Sequence, residues 1–220
     1  PRQALLRGIR EGGGDAWVGG RKSGAEPERP VSIAHLFRRH GYRTICIGKV
    51  SHQPGGVIGS EAQQHEVPFS WDVARGPTGK WGSPWGAFFG YADGSVREYG
   101  YGEDDRTRPA YEMADVPDTG YADGLIAEEA VGQLRELEAR GQPFFLAVGF
   151  YKPHLPFNSP KRYWDLYDRE EIPMATNPFP HEGSDPSFCL HPSYEGTTHY
   201  GWPEGPCNIG PENARTLRQA

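Results

Sequence analysis

Twice in this chain an apolar run of strand length stops abruptly at a lysine, with a histidine two or three residues on. The run at residues 43–48 (RTICIG) leads into Lys49-Val50-Ser51-His52, and the run at 144–150 (FFLAVGF) leads through Tyr151 into Lys152-Pro153-His154. Short apolar runs of this kind, rich in β-branched and aromatic residues, read as strands buried on both faces. Each follows a helical pattern. Across 31–40, Ser32 can cap, Ile33, Leu36 and Phe37 form an apolar stripe, and Gly41 ends the helix. Across 121–140, Ala127, Val131, Leu134 and Leu137 fall on one side, acidic residues occupy the first part, and Gly141 closes it. Two helix-then-strand units with buried strands predict a three-layer α/β/α sandwich around a largely parallel, mixed sheet.

Ligands of open α/β sheets bind outside the carboxyl ends of the strands. Here those ends carry Lys49 and His52, then Lys152 and His154, the second pair held between Pro153 and Pro156. A helix expected at residues 1–8 (PRQALLRG) places Arg2 in its first turn, where free N–H groups also favour an anion. Arginine and lysine match phosphate and sulfate geometry, and histidine can move the proton that an ester cleavage requires. The residues thus point to an oxyanion ester, with sulfate and phosphate both open. Singly, each has a plainer reading as a solvated cation or a hydrogen-bonded loop histidine. The repetition after two separate strands is what lifts them. His35, His40, His65, His181, His191 and His199 show no ligand spacing, and Glu103-Asp104-Asp105 reads as a solvated acidic loop.

The rest of the chain is loop-rich. Its 220 residues include 30 glycines and 21 prolines, and mean hydropathy is −0.70. Residues 12–30 and 181–211 read as loops, 161–168 as a short helix with Tyr163, Trp164 and Tyr167, and 212–220 as the start of another helix. Residues 53–118, dense in glycine, tryptophan and tyrosine, read as long loops or small hairpins that shape a pocket or pack as a flap. The net charge of −6 gives no electrostatic reason to expect nucleic acid or an anionic membrane as partner. No apolar run has transmembrane length and no leader pattern is present. Cys46 falls inside a strand as a core thiol, while Cys189 and Cys207 could pair.

GYRTICIGKVSH and FFLAVGFYKPHLPF resemble two blocks of the sulfatase family, within its iduronate-2-sulfatase-like branch, and PRQALLRG resembles the tail of that family's C-x-P-S-R-x-x-L-L-T-G signature. PDTGYADGLIAEEAVGQL and PKRYWDLY are similar to the same branch. The resemblance implies an alkaline-phosphatase-like fold and hydrolysis of a sulfated carbohydrate. It assigns Arg2 to holding a formylglycine nucleophile, Lys49 to bridging nucleophile and sulfate, and His52 to the base that breaks down the sulfated intermediate. His154 would contact sulfate or protonate the leaving oxygen, and Lys152 would bind substrate. It also implies Ca2+, a formylglycine-generating or sulfatase-maturing enzyme as partner, and a periplasmic, secreted or lysosomal setting.

Several features depart from that pattern. Pro1 and Arg7 stand where the signature has Ser and Thr, and its cysteine would lie upstream of Pro1. The family's metal ligands would also lie outside residues 1–220. The expectation is therefore a partial N-terminal catalytic domain with 53–118 as an insertion, inactive by itself. The alternatives are a phosphoric or phosphonate ester hydrolase of the same fold, and a carbohydrate-binding module using the aromatics of 71–101.

Overall fold

The structure is a computed structural model that describes residues 28–30, 32–50, 69–97, 108–176, 182–183, 200 and 210–219. The helix expected at 1–8, Arg2, His52, the acidic triplet, Cys189 and Cys207 lie outside the described residues. In chain order the elements are α1 (Ile33–Arg39), β1 (Arg43–Gly48), β2 (Val73–Arg75), α2 (Pro84–Phe88), β3 (Tyr111–Glu112), α3 (Ala122–Arg140), β4 (Phe144–Gly149), β5 (Phe157–Asn158), α4 (Lys161–Trp164) and α5 (Gly210–Gln219). They fall into two compact units, Pro1–Gly90 with Ala122–Tyr151, and Tyr91–Tyr121 with Lys152–Ala220.

The first unit holds a sheet in the order β2-β1-β4. Both pairings are parallel, with Cys46 opposite Ala74 on one side and Ala147 on the other. Side chains alternate across a strand, so one register row shares one face. Cys46, Ala74 and Ala147 pack with Ala34 of α1 and with Trp71, and Phe37 of α1 stacks on Phe145 at 4.7 Å. The opposite row contains Ile47 and Arg75, and Arg75 reaches Glu129 of α3 at 3.6 Å. Helices therefore lie on both faces, giving the α/β/α layering expected from the sequence.

Local chemistry sets the helix ends. The Ser32 hydroxyl accepts the His35 N–H at 3.0 Å, satisfying a donor in the first turn, and Gly41 at φ +82° follows the α1 terminus. Ser83 caps α2 in the same way through the Gly86 N–H at 2.9 Å, with Pro84 at the first helical position.

A polar clamp joins the amino end of the sheet to α1. Asp72 accepts from the Thr44 N–H at 2.9 Å and from Arg38 Nε at 2.7 Å, while its own N–H donates to the Thr44 carbonyl at 2.9 Å. Burial alone would push the Asp72 carboxyl up, but the hydrogen bonds from Arg38 and Thr44 outweigh it and hold the group below the usual 3.8.

Four expectations need correction. The strand at 144–150 is not buried on both faces: Phe144 and Val148 of β4 are exposed, as is Phe150 just beyond it. Among the described residues β4 pairs with β1 alone, so it is the outer strand of the described sheet, and β1 is the buried centre of that sheet. On α3, Val131 and Leu134 are each 44% exposed, and the sheet-facing row is Ala122, Ile126, Ala130 and Leu137. Its small alanines let the helix approach until Ile126 touches Gly48. On α1, Ile33 and Leu36 face outward, and Ala34 and His35 are buried instead. Lastly, the span 53–118 supplies β2, a strand of the sheet, together with α2.

The second unit pairs β3 with β5 in parallel and stacks Tyr111 on Trp164 at 5.7 Å. The helix expected at 161–168 is confined to Lys161–Trp164, with Trp164 buried and Tyr163 and Tyr167 exposed. Glu112 accepts from the Tyr121 hydroxyl at 2.8 Å and from the Ala92 N–H at 2.7 Å. Burial, reinforced by the Glu112 carboxylate, pushes the Tyr121 phenol well up.

Candidate active site

The central strand β1 delivers Lys49 to its carboxyl end. Gly48 adopts φ +73°, a conformation that side-chain-bearing residues rarely take, and turns the chain out of the strand. The Lys49 N–H then donates to the Gly149 carbonyl at 2.7 Å, one residue beyond the last register pair. The side chain is half-buried, and its ammonium stands 5.0 Å from the centroid of the Phe88 ring.

The neighbouring end of β4 is fixed by Tyr151, which is buried. Its N–H donates to Asp123 Oδ1, in the first turn of α3, at 2.8 Å. Its hydroxyl donates to the Pro84 carbonyl at 3.2 Å, and its ring meets Phe88 edge-on with centroids 5.0 Å apart. Burial, with the Asp123 carboxylate nearby, pushes the Tyr151 phenol well up, so it remains a neutral donor. Lys49, Phe88, Tyr151 and Asp123 thus form one cluster at the strand ends of the first unit.

Lys152 and His154 open the next stretch of chain and belong to the second unit; both are half-buried. The Lys152–Pro153 and Leu155–Pro156 peptide bonds are cis. His154 Nδ1 lies 2.7 Å from the Leu155 carbonyl oxygen. A carbonyl can only accept, so Nδ1 carries the proton.

Among the described residues no group of three or more His, Cys, Asp or Glu side chains could hold a metal ion. These residues therefore do not fit the Ca2+ that the resemblance implies. Cys46 is fully buried among core residues, in keeping with an inert thiol and unsuited to a nucleophile. The described aromatics of the 71–101 stretch are largely core: Trp71 and Trp81 are each 7% exposed and Tyr91 is fully buried. Trp71, Trp81 and Tyr91 are therefore not exposed as a carbohydrate-binding face, while Tyr99 and Tyr101 lie outside the described residues.

Phe88, Tyr151 and Asp123 were not singled out by the sequence. Tyr151 adjoins the Lys-Pro-His block, but nothing in the chain order brings Phe88 beneath Lys49.

The sulfatase family model matches residues 2–201, a span that includes both Lys/His blocks and Arg2. The chain belongs to the sulfatase family. It is 31% identical to iduronate 2-sulfatase of Mus musculus over 155 residues, covering 67% of this chain and 25% of the relative. Against iduronate 2-sulfatase of Homo sapiens it is 28% identical over 170 residues, covering 70% and 26%. A sulfatase of Formosa agariphila is 26% identical over 159 residues, covering 64% and 25%. The chain spans about a quarter of the length of these curated relatives. Its parallel strands between helices are those of an alkaline-phosphatase-like α/β fold, of which this sulfatase chain is a part.

Proposed function

We propose that the protein containing this chain is a sulfuric ester hydrolase acting on a sulfated carbohydrate, like the iduronate 2-sulfatases it resembles. The observation that carries the reading is Lys49, fixed at the carboxyl end of the central strand inside a segment that matches the sulfatase model.

A sulfate monoester spreads one negative charge over three oxygens, and breaking its S–O bond moves further charge onto the leaving oxygen. In this reading the Lys49 ammonium binds and neutralises the sulfate oxygens, helped by Arg2 and Lys152. Protonated His154 gives the Nε2 proton to the leaving alcohol oxygen, while its Nδ1–H stays with the Leu155 carbonyl. His52 serves as the base that regenerates the site. The resemblance implies a formylglycine, made from cysteine by a maturing enzyme, that would supply the nucleophile. Cys46 does not fit as the source of that group, and the described residues do not fit calcium.

The test is turnover of p-nitrophenyl sulfate and p-nitrophenyl phosphate by the full-length protein. Sulfate should be the substrate, and Lys49→Ala and His154→Ala should each lower kcat/KM by about 10² to 10⁴. Wild-type rates in both variants would sink the site assignment. Preference for the phosphate ester would move the protein to phosphoryl chemistry on the same fold.

A further inference from the structure

A lysine side chain is a flexible four-carbon stem, and a cation that must meet sulfate oxygens in one geometry needs something to hold it. A carboxylate would hold it but would also neutralise it and occupy its N–H donors. Among the described residues no carboxylate pairs with Lys49; the contact that the structure gives its ammonium is the Phe88 ring at 5.0 Å. The face of an aromatic ring is electron-rich and attracts a cation while leaving its charge uncancelled. Phe88 is 1% exposed and wedged among Trp85 at 5.6 Å, Phe89 at 4.5 Å and Tyr151 at 5.0 Å, so the ring itself cannot swing away.

The ring also touches both strand ends. Lys49 follows β1, whereas Tyr151 follows β4 and is fastened on its other sides to Asp123 and Pro84. Phe88 itself belongs to α2, within the stretch that the sequence marked as an insertion.

We propose that Phe88 is a positioning residue of the sulfatase site: its ring holds the Lys49 ammonium in place for the sulfate group and, through Tyr151, ties that position to the end of β4. This deepens the functional reading above and rests on it, since Lys49 must bind sulfate for its placement to matter.

Progressive fluorination of the Phe88 ring withdraws electron density from its face while keeping its shape nearly constant. The full-length protein would carry 4-fluoro-, 3,5-difluoro- and 3,4,5-trifluorophenylalanine at position 88, in wild-type and Lys49→Ala backgrounds. With p-nitrophenyl sulfate, kcat/KM should fall stepwise by about 3- to 30-fold across the series, as expected for losing one cation–π contact. The melting temperature should hold steady, and the series should be flat when Lys49 is alanine. A flat series in the wild-type background, where Lys49→Ala alone is slow, overturns the role of Phe88 and leaves the site reading standing. Rates that fall together with melting temperature, or that fall equally without Lys49, also overturn it. Normal turnover by Lys49→Ala overturns the site reading itself, and the positioning role with it.

Discussion

Gly48 and Gly149 are register partners at the carboxyl ends of β1 and β4, and neither has room for a side chain. A Cβ on Gly149 would fall 1.9 Å from the Lys49 carbonyl oxygen, and one on Gly48 would fall 2.2 Å from the Gly149 carbonyl oxygen. Both obstacles are backbone atoms, which cannot turn aside as a side-chain tip can. The two strand ends are pinched together at the point where Lys49 leaves the sheet.

Gly149→Ala should therefore destabilise the protein by about 3 kcal/mol or more, since the strand ends must separate or lose their hydrogen bond. Chemical denaturation of the variant beside wild type measures this. An unchanged midpoint would show that the strand ends are not in contact.

Asp123 should be replaceable by Asn but not by Ala. Asn keeps an oxygen to accept the Tyr151 N–H, whereas Ala leaves a buried donor unmet at about 1–3 kcal/mol. Turnover and thermal melts of Asp123→Asn and Asp123→Ala should separate accordingly. Equal losses in both would mean that the negative charge, not the hydrogen bond, is what matters.

Asp72 makes a prediction about acid. Its carboxyl is held below 3.8 in the folded protein, so its contribution to stability is present above the unfolded value and fades as pH falls through the folded one. Asp72→Asn should cost about 1–2 kcal/mol near neutrality. The gap between variant and wild type should stay level down to about pH 4 and narrow below that. A gap that widens in acid would reverse the assigned direction.

Trp71 should behave as a core residue. It packs with Ala34, Cys46 and Ala74 and stacks near Phe145 at 5.8 Å, so Trp71→Ala should cost about 3–5 kcal/mol. Adding a sulfated oligosaccharide to the intact protein should leave the Trp71 fluorescence, isolated by comparison with Trp71→Phe, unchanged. Quenching of that signal would return the residue to a sugar-binding role.

The parallel layering was legible because it depends on apolar runs and helix stops, which local sequence carries. Ser32, Gly41 and Gly48 acted as their chemistry dictates. Facing was less legible. Leu134 and Val131 suit a buried stripe as well as Ile126 and Ala130 do, and only the closeness of α3 to Gly48 selects the row with small residues. The strand at 144–149 had the composition of a central strand, but burial depends on how many neighbours it has, and that is a property of the sheet. β2 was missed because three residues, Val73-Ala74-Arg75, carry too little periodicity to stand out from a glycine-rich stretch. Of the site, the strand-end lysine could be read directly. Phe88 could not, since its meeting with Lys49 joins residues 39 positions apart through tertiary packing.

The Asp72 clamp has a consequence for length variation. The chain departs from β1, passes through residues 51–68, and is fastened back at Thr44 by the Asp72 carboxylate, which accepts the Thr44 N–H and hydroxyl, and by the Asp72 N–H, which donates to the Thr44 carbonyl. The register of β2 is thus fixed where the chain arrives, not by the distance it has travelled. Closing a longer connection costs only a logarithmic increment of entropy, about 0.6 kcal/mol per doubling. Insertions and deletions can accumulate between Lys49 and Asp72 without shifting the sheet, provided that Thr44, Asp72 and Arg38 are kept together.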